Sequence, residues 1–122
     1  MIRLICLLVL VFASACNGGG GGECNGKDCI CTGSSCDVGC EDGNCDQQCS
    51  NGSCTFACAG GNCDQQCEGS TCNFSCAGGG CDQHCQLGAT CTFTCNGGNC
   101  DQFCGGNPNC STTCTGMGCD KF

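Results

Sequence analysis

Between Cys45 and Asn62 the chain reads CDQQCSNGSCTFACAGGN, and from Cys63 to Gly80 it reads CDQQCEGSTCNFSCAGGG. These two eighteen-residue stretches decide the fold, because Cys, Asp, Gln and Phe return at the same offsets in both. Two nineteen-residue copies follow, CDQHCQLGATCTFTCNGGN (Cys81 to Asn99) and CDQFCGGNPNCSTTCTGMG (Cys100 to Gly118). A half unit, CDVGCEDGN, precedes them and CDKF closes the chain. The spacing C-x-x-x-C is kept in every unit, whereas the spacers alternate. SNGS, EGST, QLGAT and GGNPN follow the CDQ-type segment; AGGN, AGGG, NGGN and TGMG follow the CxFxC-type segment. Two kinds of segment and two kinds of turn imply a repeat of about eighteen residues, and a short fixed period of this kind is the mark of a solenoid.

Length and glycine both oppose helix. Five-residue segments cannot sustain an isolated helix, and every spacer after a CxFxC-type segment carries Gly. In an extended segment the first, third and fifth residues share a face. That places Cys54, Phe56 and Cys58 together, as it does Cys72, Phe74 and Cys76, and Cys91, Phe93 and Cys95. Val38 holds the Phe position in the half unit and Thr112 in the last unit. The opposite face carries Thr55/Ala57, Asn73/Ser75, Thr92/Thr94 and Ser111/Thr113, small and mostly polar, as on a strand with one buried side. The expected fold is a two-sided parallel β-solenoid with one coil of about eighteen residues per turn. Phe56, Phe74 and Phe93 would then ladder through the interior, with an amide ladder of Gln47, Gln65, Gln83 and Gln102 opposite. The alternative is an irregular disulfide-stapled scaffold.

Geometry selects among disulfide pairings. Cysteines four apart on one strand lie about 13 Å apart, beyond the Cα separation of about 7 Å that a disulfide tolerates. Cysteines flanking a turn face each other across a thin coil. The favoured pairs are Cys40–Cys45, Cys49–Cys54, Cys58–Cys63, Cys67–Cys72, Cys76–Cys81, Cys85–Cys91, Cys95–Cys100, Cys104–Cys110 and Cys114–Cys119. Pairing within C-x-x-x-C would need a helical turn there. Cys24, Cys29, Cys31 and Cys36 remain for the start of the domain. Covalent bracing is needed: large apolar side chains beyond the leader are few (Ile30, Val38, Phe56, Phe74, Leu87, Phe93, Phe103, Met117 and Phe122), too few for a core of hydrocarbon alone.

The first fifteen residues read as a secretory signal: Arg3, an apolar run from Leu4 to Phe12, then Ala13-Ser14-Ala15 before Cys16. The run is too short to span a bilayer, which takes about 20 apolar residues. Phe12-Ala13-Ser14-Ala15-Cys16 resembles the lipobox of bacterial lipoproteins. That resemblance implies cleavage before Cys16, which becomes the first residue and is diacylated, and, with Asn17 following, sorting to an outer membrane or cell surface. Free secretion is the alternative. Cysteine parity agrees with acylation, because losing Cys6 with the leader and Cys16 to lipid leaves 22 of 24, an even number. The expected division is a signal peptide over 1–15, a lipidated cysteine and Gly-rich tether over 16–23, an irregular Cys-rich cap over 24–35 and the repeat domain over 36–122. Beyond the leader two lysines face eleven acids, a formal charge of −9, which opposes nucleic acid as a partner. The partners to expect are a membrane, through the anchor, and a protein or glycan of unspecified kind.

Chemistry beyond structure has three openings. Asp46, Asp64, Asp82, Asp101 and Asp120 each follow the first cysteine of a unit and would stack on one outward face. They either accept local hydrogen bonds or bind calcium; the glycine-rich arrangement resembles that of calcium-binding β-rolls, although their nonapeptide places its Asp elsewhere. A thiolate cluster like that of metallothioneins usually draws on C-x-C and C-x-x-C. Here Cys29-Ile30-Cys31 is the one C-x-C and there is no C-x-x-C. The outward Thr/Asn/Ser array resembles in concept the ice-binding face of insect antifreeze proteins. Catalysis has no constellation: His84 is the single histidine, in a slot that holds Gln48, Gln66 and Phe103 elsewhere, and no nucleophile–base pair accompanies it. No resident cofactor is expected.

Overall fold

The computed structural model describes residues 16–19, 22–25, 27–32, 35–68 and 71–122, with side chains from Lys27 onward. The leader expected over 1–15 and the side chain of Cys16 therefore lie outside the described residues.

The described chain is built of strands: β1 (Cys16–Gly19), β2 (Gly22–Asn25), β3 (Asp28–Cys31), β4 (Ser35–Cys40), β5 (Asp46–Cys49), β6 (Ser53–Cys58) and β7 (Asp64–Cys67). It continues through β8 (Thr71–Cys76), β9 (Asp82–Cys85), β10 (Thr90–Cys95), β11 (Asp101–Phe103), β12 (Cys110–Cys114) and β13 (Asp120–Lys121). They form two sheets. One runs β1-β4-β6-β8-β10-β12; the other runs β13-β11-β9-β7-β5-β3-β2. From β4 and β3 onward every neighbouring pair is parallel. Consecutive coils register one repeat apart, Cys54 on Cys72 and Phe56 on Phe74. The chain is a two-sided parallel β-solenoid of about five coils, as the eighteen-residue period requires.

Four columns fill the interior. Phe56, Phe74 and Phe93 are fully buried and stack face to face, with ring centroids 5.0 and 5.6 Å apart. Beside them the glutamines form a continuous ladder. Gln65 Nε2 donates to Gln47 Oε1, Gln83 to Gln65, and Gln102 to Gln83, each at 2.8 Å. The same amides reach carbonyls of the facing sheet, Gln65 to Ser75 O at 3.3 Å and Gln102 to Thr113 O at 3.2 Å. Gln47, Gln65 and Gln83 are buried with both kinds of polar atom paired, which offsets the cost of desolvating them, while the Oε1 of Gln102, the last rung, has no partner.

Disulfides close the two margins. Cys31–Cys36, Cys49–Cys54, Cys67–Cys72, Cys85–Cys91 and Cys104–Cys110 run up one side. Cys40–Cys45, Cys58–Cys63, Cys76–Cys81, Cys95–Cys100 and Cys114–Cys119 run up the other. Each spans five or six residues around a turn, with Cα atoms 5.6–6.4 Å apart. The first column packs with the phenylalanines and the second forms its own apolar cluster.

The turns explain the glycines. On the side of the second disulfide column the coils approach so closely that a Cβ at Gly60, Gly78, Gly97 or Gly116 would overlap the backbone of the coil before it. The other side accommodates insertions. Where QLGAT and GGNPN add a residue, Asn107 tucks into the gap: its Nδ2 donates to Gln86 O at 2.9 Å and Ala89 O at 2.8 Å, and its Oδ1 accepts Asn109 N–H at 3.0 Å.

The domain is regular from earlier than expected. β3, inside the segment read as an irregular cap, already pairs parallel with β5, placing Asp28 on Asp46 and Cys29 on Gln47. Cys31–Cys36 repeats the turn bridge of later coils. Within the segment read as a tether, Cys16–Gly19 runs antiparallel beside β4. These strands pair because β3 and β4 would otherwise leave edge groups unbonded.

Candidate functional site

Two outward faces could meet a partner. On the β4-to-β12 sheet the register assembles three columns of small residues. They are Ser35/Ser53/Thr71/Thr90, then Asp37/Thr55/Asn73/Thr92/Ser111, then Gly39/Ala57/Ser75/Thr94/Thr113. Asp37 therefore stands with Thr55, apart from the other aspartates that follow a cysteine. Asn, Ala, Gly and Asp interrupt the threonines, so this face lacks the uniform hydroxyl lattice that ordering water would require.

The opposite sheet is chemically richer. Asp46, Asp64, Asp82, Asp101 and Asp120 fall in one column, one per coil, and Asp28 extends it. Sequence reasoning missed Asp28 because it precedes a cysteine two residues early; only the pairing of β3 reveals its place. Parallel strands lie about 4.8 Å apart, so like charges crowd along this line. Asp82, in the middle, shows the effect: its carboxyl is held above the usual range, by partial burial first and then by Asp101 and Asp64, with His84 opposing. Asp64 is relieved locally, since Gln66 Nε2 donates to both of its oxygens at 3.2 Å.

Raising a carboxyl's folded-state value means that folding favours its protonated form. The stabilisation is complete below the unfolded pKa and disappears as pH rises through the folded one. With disulfides intact, the melting temperature is therefore expected to fall as pH climbs through the carboxylate range. Asp82→Asn should flatten that slope, and added salt should do the same by screening the column. A slope unchanged in Asp82→Asn would show that the column's repulsion is not felt by folding.

Beside the carboxylates runs a second column: Ile30, Gln48, Gln66, His84, Phe103 and Phe122. Its C-terminal half is aromatic. His84 stacks on Phe103 at 4.4 Å and Phe103 on Phe122 at 4.7 Å. His84 is thus half-buried in a stack rather than a freely solvated replacement for glutamine. The signal was present in the sequence, since the fourth position of successive units reads Gln, Gln, His, Phe. A shallow cavity of about 310 Å³ lies here, lined by Gln66, His84, Cys85, Gln86, Phe103 and Gly105. A smaller one of about 140 Å³ lies further along, between Asp46, Gln48, Asp64 and Gln66.

Among the described residues, the groups of three ligand atoms within 4.8 Å of one another are all cysteine sulfurs, such as Cys40, Cys58 and Cys63. Each group contains a disulfide pair, and bonded sulfur lacks the thiolate lone-pair charge that soft metals take. The aspartates face outward in single file. Calcium asks for six to eight oxygens, and a single row converges too few of them for a caged site.

Comparison with protein-family models, curated proteins and solved structures returns no match. The fold and its faces define the class: a disulfide-rich repeat solenoid suited to a structural or interaction role.

Proposed function

We propose that this chain is an exported rod, anchored through an acylated Cys16, that serves as a structural or interaction module at a cell surface or envelope, and that it performs no catalysis. One observation carries the reading: every cysteine whose side chain is described, from Cys29 to Cys119, is disulfide-bonded. Bridges in such density form and persist in oxidising compartments, which is where the leader would deliver the chain. Cys16 opens β1, which lies against the first coil. An acyl group there would hold the N-terminal end at a membrane and leave both broad faces clear. The Asp column and the His84–Phe103–Phe122 stack supply the recognition chemistry, carboxylates beside aromatic rings, for a protein or glycan partner. The net charge of −8 of the whole chain opposes nucleic acid.

Metabolic labelling with palmitate tests the anchor. The wild-type protein is expected to carry label and to sediment with membranes. Cys16→Ala should lose both. Label retained by Cys16→Ala would refute acylation at that residue, and an unlabelled wild type recovered from the medium would establish free secretion.

A further inference from the structure

The two disulfide columns differ in what surrounds them. In the column that begins at Cys31–Cys36 the sulfurs pack among Val38, Phe56, Phe74, Ala89 and Phe93. In the column that begins at Cys40–Cys45 they pack only on one another. The glycine turns explain the difference, because on that margin the coils meet backbone to backbone, Gly78 over Gly61 and Gly97 over Gly79. Along this margin one sulfur lies within 4.8 Å of both sulfurs of the next bridge at every step. Cys40 stands so against Cys58–Cys63, Cys58 against Cys76–Cys81, Cys76 against Cys95–Cys100, and Cys95 against Cys114–Cys119. Among the described residues of the other column, only Cys54 meets that condition, against Cys31–Cys36.

We propose that this margin is a thiol–disulfide relay, along which a thiol freed at one coil is passed from bridge to bridge. The step is a displacement between sulfurs. A Cys58 thiolate attacks Cys76 Sγ; the Cys58–Cys76 bond forms, the Cys76–Cys81 bond breaks, and the electron pair leaves on Cys81 as a thiolate. One bond replaces another, so no oxidant or reductant is consumed.

The geometry permits the product. Cys58 and Cys76 are direct partners across β6 and β8, and strands about 4.8 Å apart hold such partners inside the Cα range of about 4.4–6.8 Å that a disulfide spans. Losing its own bridge frees the attacking side chain to rotate about Cα–Cβ into line with the target bond. The leaving sulfur is stabilised too: the backbone N–H of Cys63 donates to Cys81 Sγ at 3.5 Å, and a donor of this kind favours the thiolate. In the oxidised wild type every sulfur of the column is paired and nothing moves. Loss of one partner, or attack on one bridge by a small thiol, starts the relay.

Mapping the odd thiol of Cys63→Ser tests the proposal. The folded protein is denatured in acid, which halts exchange, and its thiols are alkylated with maleimide before peptide mapping. Label is expected on Cys76 and Cys81 as well as Cys58, appearing about tenfold faster per pH unit as thiolate forms and at a rate independent of protein concentration. In Cys91→Ser, on the other margin, label is expected to stay on Cys85. Label confined to Cys58 in a folded Cys63→Ser protein overturns the proposal. So does equal spread in Cys91→Ser, or a rate proportional to protein concentration. Should Cys63→Ser fail to fold, Cys100→Ser frees Cys95 against Cys114–Cys119 and is read in the same way. Should neither fold, wild type opened by a water-soluble phosphine to two thiols per chain must carry links between coils on this margin, such as Cys58–Cys76, and their absence is equally decisive.

Discussion

Unfolding the protein in denaturant with a reductant, then diluting it into reductant alone, is expected to leave a chain with no β-structure. The uncharged interior explains why. Its hydrocarbon amounts to Phe56, Phe74, Phe93, Val38 and Ala89, the remainder being cysteine, glutamine and Asn107. Burying a Phe or Val offsets the conformational entropy of only a few ordered residues. Five apolar side chains cannot order a hundred residues. Each turn bridge removes loop-closure entropy from the unfolded chain, about 2 kcal/mol for loops this short, and the described residues contain ten. They also keep the sheet edges at a fixed separation, which lets the Gln and Phe columns find register. Reductant without denaturant should act slowly, because sulfurs such as those of Cys49, Cys67 and Cys95 are wholly buried. Circular dichroism reads both results. A reduced chain that kept its strand signal would show that packing alone suffices.

Gly78→Val is expected to be the most damaging single substitution outside the cysteines, at no less than about 3 kcal/mol, the upper range for over-packing. At this turn the chain passes directly over Gly61, and a Cβ would overlap the Gly61 backbone nitrogen. No side chain lies there to swing aside. The coils would have to separate, yet neighbouring bridges Cys58–Cys63 and Cys76–Cys81 pin the turn on either side. Gly39→Val makes the control. Gly39 lies on an outward face with nothing within 4 Å of a built Cβ, so the change should stay within about 0.5 kcal/mol, as for ordinary surface positions. Denaturant midpoints with disulfides intact measure both. Equal tolerance at the two sites would mean that the glycine turns do not stack as described.

Much of this architecture was legible because period does the work of tertiary information. Once Phe56, Phe74 and Phe93 recur at one offset and Gln47, Gln65, Gln83 and Gln102 at another, stacking brings like onto like without further assumption. The reading failed where the period breaks. Asp28 and Cys29 belong to the first coil, but DCIC in place of DQQC hides the register until β3 is seen beside β5. In the sequence Asn107 is one residue of the GGNPN spacer. Its burial depends on the extra residue in the preceding coil's QLGAT turn, a relation between two insertions that no single unit displays. The aromatic stack was half visible: His84 and Phe103 share an offset, while Phe122 joins them only through the short pairing of β11 with β13. Partner identity is a different matter, since carboxylates beside rings describe a chemistry and not a molecule.

The most direct test of a coil stapled at its turns is a disulfide map from non-reducing proteolysis at acid pH, where exchange is suppressed. Bridges are expected only between cysteines five or six residues apart, from Cys31–Cys36 through Cys58–Cys63 to Cys114–Cys119. Links inside C-x-x-x-C, such as Cys54–Cys58, or between coils, such as Cys54–Cys72, would contradict the solenoid.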